Sequence, residues 1–216
     1  MRRPMLSSAR SYSRIMRARY AKRYAGSWLW LAGDHHWPMD FANTDRFSQI
    51  ASCQSLSGTG ALHLAGLLLR ACRETLPKVY IPAPTWSNHH QVFSSLGFPC
   101  ESFQYYDPAT RDLDVESYYS MLRRAEPNSV VILHACAHNP TGCDPSREQW
   151  REIARLMKER RLFPLFDAAY LGFNSGNFDE DAFAIRLFIG EMGMEAGVCV
   201  SFAKNMGLYG RRGPLP

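Results

Sequence analysis

Apolar and polar positions follow a regular order from about residue 52 onward, in which short apolar runs alternate with longer amphipathic stretches. Residues 129–136 form a continuous apolar run, as expected of a parallel strand that is buried on both faces. In the stretch that follows, Trp150, Ile153 and Met157 fall on one face of a predicted helix. Strands and helices that alternate with short connections predict an α/β fold, a doubly wound and mostly parallel sheet with helices on both faces.

The same pattern gives approximate bounds for the other elements. The predicted strands cover residues 53–56 (a strand or a loop), 78–81, 101–106, 162–166 and 198–200. The predicted helices cover residues 61–72, 85–97, 115–124 and 179–192. A further helix is expected to be capped by Asp144, with Pro145 at its first position.

Length and cysteine content restrict the class of protein. A chain of 216 residues suits one domain, or one and a fraction, with a core of its own. The richest apolar run, residues 62–69, is too short to span a bilayer and carries His63, so it predicts a buried helix. The six cysteines form no Cys-x-x-Cys pair and no zinc-like spacing with histidine, which indicates free thiols in a reducing compartment and no metal site.

The basic residues are concentrated at the start of the chain. The formal net charge is +5, but residues 1–33 hold eight Arg and Lys and no Asp or Glu, so the remainder carries 17 basic against 20 acidic residues. The body therefore gives no electrostatic reason to expect nucleic acid. Residues 1–33 have the composition of a mitochondrial presequence, and a basic tail without a targeting role is the alternative. A membrane- or nucleic-acid-binding role of this leader rests on its charge alone.

Three predicted strands end in polar residues of different kinds. Asn139 follows the first, Asp167 and Tyr170 the second, and Ser201 and Lys204 the third. Because the carboxyl ends of parallel strands share one edge of the sheet, we expect these side chains to converge there. A lysine held at such an edge can be desolvated, which lowers its pKa and makes its amine a nucleophile for carbonyls.

The residue types at this edge suit a pyridoxal phosphate site. An aldehyde cofactor joined to Lys204 as a Schiff base needs a partner for its pyridine nitrogen, and Asp167 at a buried strand end would keep that nitrogen protonated. Tyr170 and Asn139 are suitable hydrogen-bond partners for the phenolate oxygen of the cofactor. The alternative interpretation of Lys204 is a solvated loop lysine without a catalytic role, since Ser-x-x-Lys is a common spacing.

A phosphate-binding element is predicted at the start of the first helix. Ser57, Gly58 and Thr59 are small residues at a helix N-terminus, where backbone N–H groups and the helix dipole favour an anion. Ser201 and Arg212 would complete the phosphate site as a hydroxyl donor and a bidentate cation. A tight turn with an ordinary helix cap is the alternative for the first three residues. Trp86, just past a strand end, would cover the flat ring, although burial in the core is the commoner use of tryptophan.

Five segments together resemble a known family. They are Ser57-Gly58-Thr59-Gly60-Ala61-Leu62, Pro84-Thr85-Trp86-Ser87-Asn88-His89, His134-Ala135-Cys136-Ala137-His138-Asn139-Pro140-Thr141-Gly142, Phe166-Asp167-Ala168-Ala169-Tyr170 and Ser201-Phe202-Ala203-Lys204-Asn205-Met206-Gly207-Leu208-Tyr209. In this order and spacing, the chain resembles a class I (fold type I) pyridoxal phosphate-dependent aminotransferase of the aspartate aminotransferase family. The resemblance runs from about residue 52 to residue 212.

The resemblance implies roles for individual residues. Lys204 is expected to carry the cofactor and then to move the proton between the substrate Cα and the cofactor carbon. His89 matches a residue that supports Asp167, and Trp86 and Asn139 are expected to contact the substrate as well as the cofactor. The implied reaction is reversible amino transfer between L-aspartate and 2-oxoglutarate in a homodimer, with an aromatic amino acid aminotransferase as the alternative.

The resemblance also carries an expectation about the end of the chain. Members of the family continue after the position of Arg212, in a segment that completes the large domain, builds the small domain and supplies two arginines for substrate carboxylates. Residues 34–216 are therefore expected to be a partial cofactor domain, truncated after the lysine region, with little or no transaminase activity. A catalytically inactive fragment that pairs with full-length subunits is the corresponding alternative.

Overall fold

The computed structural model describes residues 27–32 and 50–205, with backbone alone for residues 27–32 and for Asn205. The strands are β1 (Ser27–Ala32), β2 (Ile50–Ser55), β3 (Val79–Ala83), β4 (Cys100–Gln104), β5 (Tyr106–Asp107), β6 (Asp112–Leu113), β7 (Val130–His134), β8 (Phe163–Ala168) and β9 (Ala196–Ser201). The helices are α1 (Ser57–Cys72), α2 (Asn88–Ser95), α3 (Val115–Arg124), α4 (Arg147–Glu159), α5 (Phe178–Asp181), α6 (Phe183–Arg186), a π-helical turn (Leu187–Glu191) and α7 (Phe202–Asn205). Arg212 lies outside the described residues.

Seven of these strands form one sheet in the order β2-β1-β9-β8-β7-β3-β4. Strands β4, β3, β7, β8 and β9 are parallel to one another, whereas β1 runs antiparallel to both β9 and β2. The predicted mostly parallel α/β sheet is confirmed. Strand β1 was not predicted, and it lies within residues 1–33, whose assignment as a basic leader stays a prediction. The interpretation of the leader as a presequence remains a prediction.

The central strands are buried on both faces, and their residues alternate between two hydrophobic clusters. In β7, Val131 and Leu133 belong to the cluster that packs against α3 and α4, while Val130 and Ile132 belong to the cluster under α1 and α2. This alternation is the period-2 consequence of strand geometry. It confirms the expectation that an uninterrupted apolar run here is a strand covered by helices on both sides.

Several element boundaries differ from the predictions. Strand β3 continues through Pro82 to Ala83 because it is paired there with β4, while its pairing with β7 ends at Tyr80. The predicted strand at residues 101–106 is divided, since Tyr106 pairs with Leu113 in a separate two-stranded ribbon. The single helix predicted at residues 179–192 is instead two short helices and a π-helical turn, and its residues 182–189 are buried on nearly every side. A straight amphipathic helix would keep one face exposed.

The predicted cap of α4 is wrong. Ser146, not Asp144, is the N-cap, and with Gln149 it forms a reciprocal capping box. Asp144 instead accepts hydrogen bonds from the backbone N–H groups of Ala137 (2.6 Å) and His138 (2.9 Å). The local sequence offers two suitable capping residues, and the tertiary structure assigns Asp144 to the loop that follows β7.

All six cysteines are free. None of the described helices has both the length and the apolar content needed to cross a membrane.

Candidate active site

The candidate site lies where β7, β8 and β9 end. The register aligns His134 at the end of β7 with Asp167 in β8, and Asp167 with Cys199 in β9. Residues in register on neighbouring strands project from the same face of a sheet. Cys199 belongs to the cluster beneath α1 and α2, so the row faces those helices. Lys204 follows in α7, which begins directly after β9 ends at Ser201.

Asp167 is held by a buried histidine from α2. The Nε2 atom of His89 lies 2.9 Å from Oδ2 of Asp167, and the two side chains are 0% and 14% exposed. Burial alone would raise the pKa of Asp167, but the hydrogen bond from His89 and the positive charge of nearby Lys204 outweigh it. The pKa of Asp167 therefore lies below its ordinary value, and the carboxylate is ionised at neutral pH.

A chain of hydrogen bonds leads from the backbone of Asn139 through His134 and Thr85 to His89, and each group donates to the next one. The backbone N–H of Asn139 donates to Nδ1 of His134 (3.3 Å), so the proton of the neutral imidazole is on Nε2, which lies 3.1 Å from Oγ1 of Thr85. The Thr85 hydroxyl can then donate to Nδ1 of His89 (2.8 Å), which leaves Nε2–H of His89 to donate to Asp167. The donor sequence from Asn139 through His134 and Thr85 fixes the tautomer of His89.

His134 is suited to the neutral state that this chain of hydrogen bonds requires. Its burial lowers its pKa to about 4, with the charge of Asp167 opposing this effect and the positive charge of Lys204 adding to it. The neighbouring His138 is stacked on Tyr105, with ring centroids 3.9 Å apart. Burial lowers the pKa of His138 to about 3. Both imidazoles are therefore neutral at physiological pH.

Lys204 is paired with Tyr170, which comes from the loop after β8. Its Nζ donates a hydrogen bond to the Tyr170 hydroxyl (2.9 Å) and lies 4.2 Å from the centre of the tyrosine ring. Lys204 itself is exposed. The structure thus brings together two residues that are 34 positions apart in the sequence, as the convergence of strand ends predicted.

The start of α1 is packed closely against the end of β9. A Cβ atom added at Gly58 would lie 3.4 Å from the Cβ of Ser201 and 3.8 Å from its Oγ, so a side chain here would fill the space between the two segments. Helix α1 has no side-chain cap and no acidic residue in its first turn, which contains Ser57 and Thr59. Ser57 adopts a positive φ of 66° that turns the chain into the helix. The four predicted phosphate-binding residues that the structure describes are therefore adjacent.

Trp86 and Asn139 also lie at this edge. Trp86 is half-buried, packs against the cluster under α1 and α2, and meets the His89 ring edge-on, with centroids 5.5 Å apart. Asn139 is half-buried and contacts the site through its backbone bond to His134. Trp86 thus packs against the core and is half-buried, and its contact with the flat ring stays a prediction.

A sequence pattern for the family "Aminotransferase class I and II" matches residues 39–214. The chain belongs to the class I and II aminotransferases. It is 48% identical over 166 residues to the cytoplasmic aspartate aminotransferase of Oryza sativa subsp. japonica, covering 76% of this chain and 40% of the relative. It is 48% identical over 164 residues to the mitochondrial aspartate aminotransferase of Schizosaccharomyces pombe, covering 76% of this chain and 37% of the relative. The aminotransferase chain thus spans about two-fifths of the length of these relatives.

Solved aminotransferase structures have the same fold. A mitochondrial aspartate aminotransferase from Trypanosoma brucei superimposes with a TM-score of 0.71 and 41% identity, covering 74% of this chain and 42% of the other. An aromatic-amino-acid aminotransferase from Burkholderia pseudomallei, described as covalently bound to pyridoxal phosphate, gives a TM-score of 0.70 and 39% identity, covering 73% and 39%. The predicted fold class is confirmed, and both aspartate and aromatic aminotransferases are among the similar proteins.

The described residues of this chain fit pyridoxal phosphate. An ionised carboxylate with a fixed hydrogen-bond donor behind it can bind a protonated ring nitrogen, and the uncapped start of α1 with the narrow space at Gly58 can accept a phosphate against backbone N–H groups. The exposed amine of Lys204 is accessible to an aldehyde.

Sequence reasoning missed Thr85 and His134 as functional residues of the site. Both stand inside segments that carried the family resemblance, but neither was assigned a role. The available signal was the position of His134 at the end of a buried strand whose neighbour ends in Asp167. The link through Thr85 had no sequence signal, because it joins a loop to a strand end 49 positions away.

Proposed function

We propose that this chain forms the cofactor-binding part of a pyridoxal phosphate-dependent aminotransferase, with Lys204 as its catalytic amine. The observation that supports it best is the pairing of Lys204 with Tyr170 at the same sheet edge as the ionised Asp167. Membership of the family and the similarity to named aspartate aminotransferases support the same conclusion.

Each residue of the site has a distinct task in this proposal. Asp167, oriented by His89, would accept a hydrogen bond from the protonated ring nitrogen. Tyr170 and Asn139 would bind the phenolate oxygen of the cofactor, and Trp86 would lie against the ring. The phosphate would be bound by residues of the α1 start and the neighbouring segments, which are Ser57, Gly58, Thr59, Ser201 and Arg212.

Lys204 performs the proton transfer in the proposed reaction. Pyridoxal phosphate, when bound, supplies an aldehyde that exchanges amino groups and a ring that withdraws electrons from the substrate Cα. Lys204 would hold the cofactor through its Nζ in the resting enzyme. Once a substrate amine takes its place, Nζ would act as general base, taking the proton from the substrate Cα and delivering it to the cofactor carbon. The Tyr170 hydroxyl, which accepts a hydrogen bond from Nζ, keeps the amine in a defined direction.

The proposed substrates are L-aspartate and 2-oxoglutarate, which exchange an amino group reversibly to give oxaloacetate and L-glutamate. The similarity to named aspartate aminotransferases supports this choice. An aromatic amino acid aminotransferase is the second candidate, supported by the similarity to the Burkholderia pseudomallei enzyme. Trp86 and Asn139 would contact the substrate in either case.

The experiment that tests the cofactor site is borohydride reduction after addition of pyridoxal phosphate, followed by peptide mapping. The expected result is a stable label on Lys204. Lys158, which donates to the backbone carbonyl of Met192 on the surface, is an internal control and should stay unlabelled. A Lys204→Arg variant should lose the label while keeping the positive charge. A label spread over surface lysines, or no label, would contradict the proposal and leave the inactive-fragment alternative.

Substrate preference is tested by spectroscopy on the cofactor-loaded chain. Addition of L-aspartate is expected to change the absorption spectrum of the cofactor at lower concentrations than L-phenylalanine does. The reverse order would favour the aromatic aminotransferase.

We further propose a homodimer and a mitochondrial location for the protein. The relatives include both mitochondrial and cytoplasmic aspartate aminotransferases, and the acid-free basic composition of residues 1–33 supports the former. Sedimentation of the loaded chain tests the dimer, since a mass of one chain at micromolar concentration would contradict it. A fluorescent protein fused after residue 33 tests the leader, since a diffuse cytoplasmic signal would contradict import.

A further inference from the structure

The loop after Tyr170 is folded around a buried carboxylate that the proposed chemistry does not use. Asp181, the last residue of α5, is 5% exposed. Its Oδ2 accepts hydrogen bonds from the backbone N–H groups of Gly172 (2.8 Å) and Asn174 (3.1 Å), and its Oδ1 accepts from that of Ser175 (3.1 Å). Three amides of one short loop thus converge on one side chain.

The other contacts of this loop involve its first residues, Leu171 to Phe173. Leu171 is buried in the cluster on the α3–α4 face. Gly172 has a φ of +79°, and a Cβ atom there would lie 3.6–3.7 Å from Phe178, so the backbone runs close to α5. Phe173 is 67% exposed, and its N–H donates to the carbonyl of Tyr170 (2.9 Å). Backbone hydrogen bonds to Asp181, rather than burial of side chains, therefore define the path of residues 172–175.

Tyr170 lies between this loop and the end of β8. Strand β8 ends at Ala168, two residues before Tyr170, and the first amide bound by Asp181 follows two residues after it. Among the described residues, the close contacts of the Lys204 amine are with the hydroxyl and the ring of Tyr170. A displacement of the loop would consequently change the surroundings of the amine.

We propose that Asp181 is a positioning residue, whose carboxylate holds the backbone amides of residues 172–175 and thereby sets the Tyr170 hydroxyl against the amine of Lys204. Its catalytic meaning rests on the proposed function, but the contacts themselves require no cofactor. Asp181 acts through Tyr170 and touches neither Lys204 nor the reacting atoms.

The test measures how fast the Lys204 amine of the full chain is acetylated by limiting acetic anhydride, without cofactor, with the modified peptide quantified by mass spectrometry. In an Asp181→Asn variant, an NH2 group replaces one acceptor oxygen and faces backbone N–H donors. The loop of residues 172–175 then shifts, and the Tyr170 hydroxyl no longer accepts a hydrogen bond from the Lys204 amine. Lys204 should therefore react about two- to tenfold faster, which is the range that the loss of one hydrogen bond of ordinary strength gives. Asp179→Asn is the matched control, because Asp179 is on the same helix in an exposed ion pair with Arg186. It should leave the rate unchanged.

A second substitution distinguishes positioning from general loosening. Tyr170→Phe removes the hydroxyl and should raise the Lys204 rate by a similar factor. Adding Asp181→Asn to Tyr170→Phe should then change nothing further, because the group through which Asp181 acts is absent. An equal effect of Asp181→Asn in both backgrounds, or none in the first, would overturn the proposal.

Hydrogen exchange of the unsubstituted chain keeps the proposal testable if Asp181→Asn does not fold. The amides of Gly172, Asn174 and Ser175 should be protected although their loop is at the surface. Exchange at the rate of unstructured amides would overturn the proposal. Failure of the proposed function would appear separately, as the absence of a borohydride-stable label on Lys204, since acetylation involves no cofactor.

Discussion

Replacing His89 by leucine removes the hydrogen-bond donor that keeps Asp167 ionised in a buried position. The His89→Leu variant retains an apolar side chain of comparable size, but it leaves Asp167, 14% exposed, without the bond at 2.9 Å. A hydrogen bond to a charged group contributes about 1.5–3 kcal/mol, and one pKa unit corresponds to about 1.4 kcal/mol. The pKa of Asp167 is therefore expected to rise by about one to two units.

The sign of the accompanying stability change follows from the pKa of Asp167 in the folded chain. Because this pKa is lowered, ionised Asp167 stabilises the fold above the ordinary aspartate value, and the contribution is lost as the pH falls through the lowered value. In the His89→Leu variant, burial opposes ionisation with less compensation. The difference in free energy of unfolding between the variant and the unsubstituted chain should accordingly be largest near neutral pH.

The measurement is a titration of the Asp167 carboxyl carbon by NMR, with Asp167→Asn used to assign the signal. His89→Gln is the matched control, since its amide nitrogen can replace Nε2 as a donor to Asp167 while the bond to Thr85 is lost. Its effect on the pKa should be clearly smaller. An Asp167 that titrates at the same pH in the His89→Leu variant and in the unsubstituted chain would refute the reasoning.

Three further predictions concern the surroundings of the site. Acid should destabilise the chain below about pH 6.5, because burial lowers the pKa of His134 to about 4 and that of His138 to about 3, and the unfolded chain therefore binds protons that the folded chain excludes. Urea unfolding at several pH values measures this effect. A free energy of unfolding that stays constant from neutral pH down to these two pKa values would contradict the prediction. Asp144→Ala leaves two backbone amides without their acceptor and should cost about 1–3 kcal/mol, whereas an unchanged urea midpoint would mean that these bonds contribute nothing net. Ser146→Ala should lower the free energy of unfolding by about 1 kcal/mol through loss of the α4 cap, and the exposed Ser120→Ala in α3 should have little effect; equal effects of both would argue against capping.

The fold class could be predicted because a strand that is buried on both faces has an uninterrupted apolar sequence, which can be recognised in each strand separately. The uninterrupted apolar run of β7 and the amphipathic face of α4 are local patterns, and their alternation predicts a parallel sheet without knowledge of any contact. Strand β1 also contains an apolar run, Trp28 to Ala32, but no regular alternation of elements around it identified it as a strand. It is a strand because its backbone pairs with β9 on one side and β2 on the other, and pairing partners cannot be read from a short segment.

The candidate site was predictable to the extent that strand ends define it. Asp167, Tyr170 and Lys204 follow predicted strands, so the shared edge of a parallel sheet brings them together. The role of Asp144 could not be decided in this way, because both it and Ser146 are chemically suitable as caps. The choice depended on which of them faces the loop after β7.

The sequence by itself determined the α/β class, the types of residue at the carboxyl edge and the position of the lysine. These follow from short-range periodicity and from the chain direction of parallel strands. The tertiary structure decided which atoms meet. Nζ of Lys204 meets the Tyr170 hydroxyl, and His89 reaches Asp167 across 78 positions of sequence. Such partners depend on strand register and on helix packing, where a shift of one residue would turn each side chain to the opposite face.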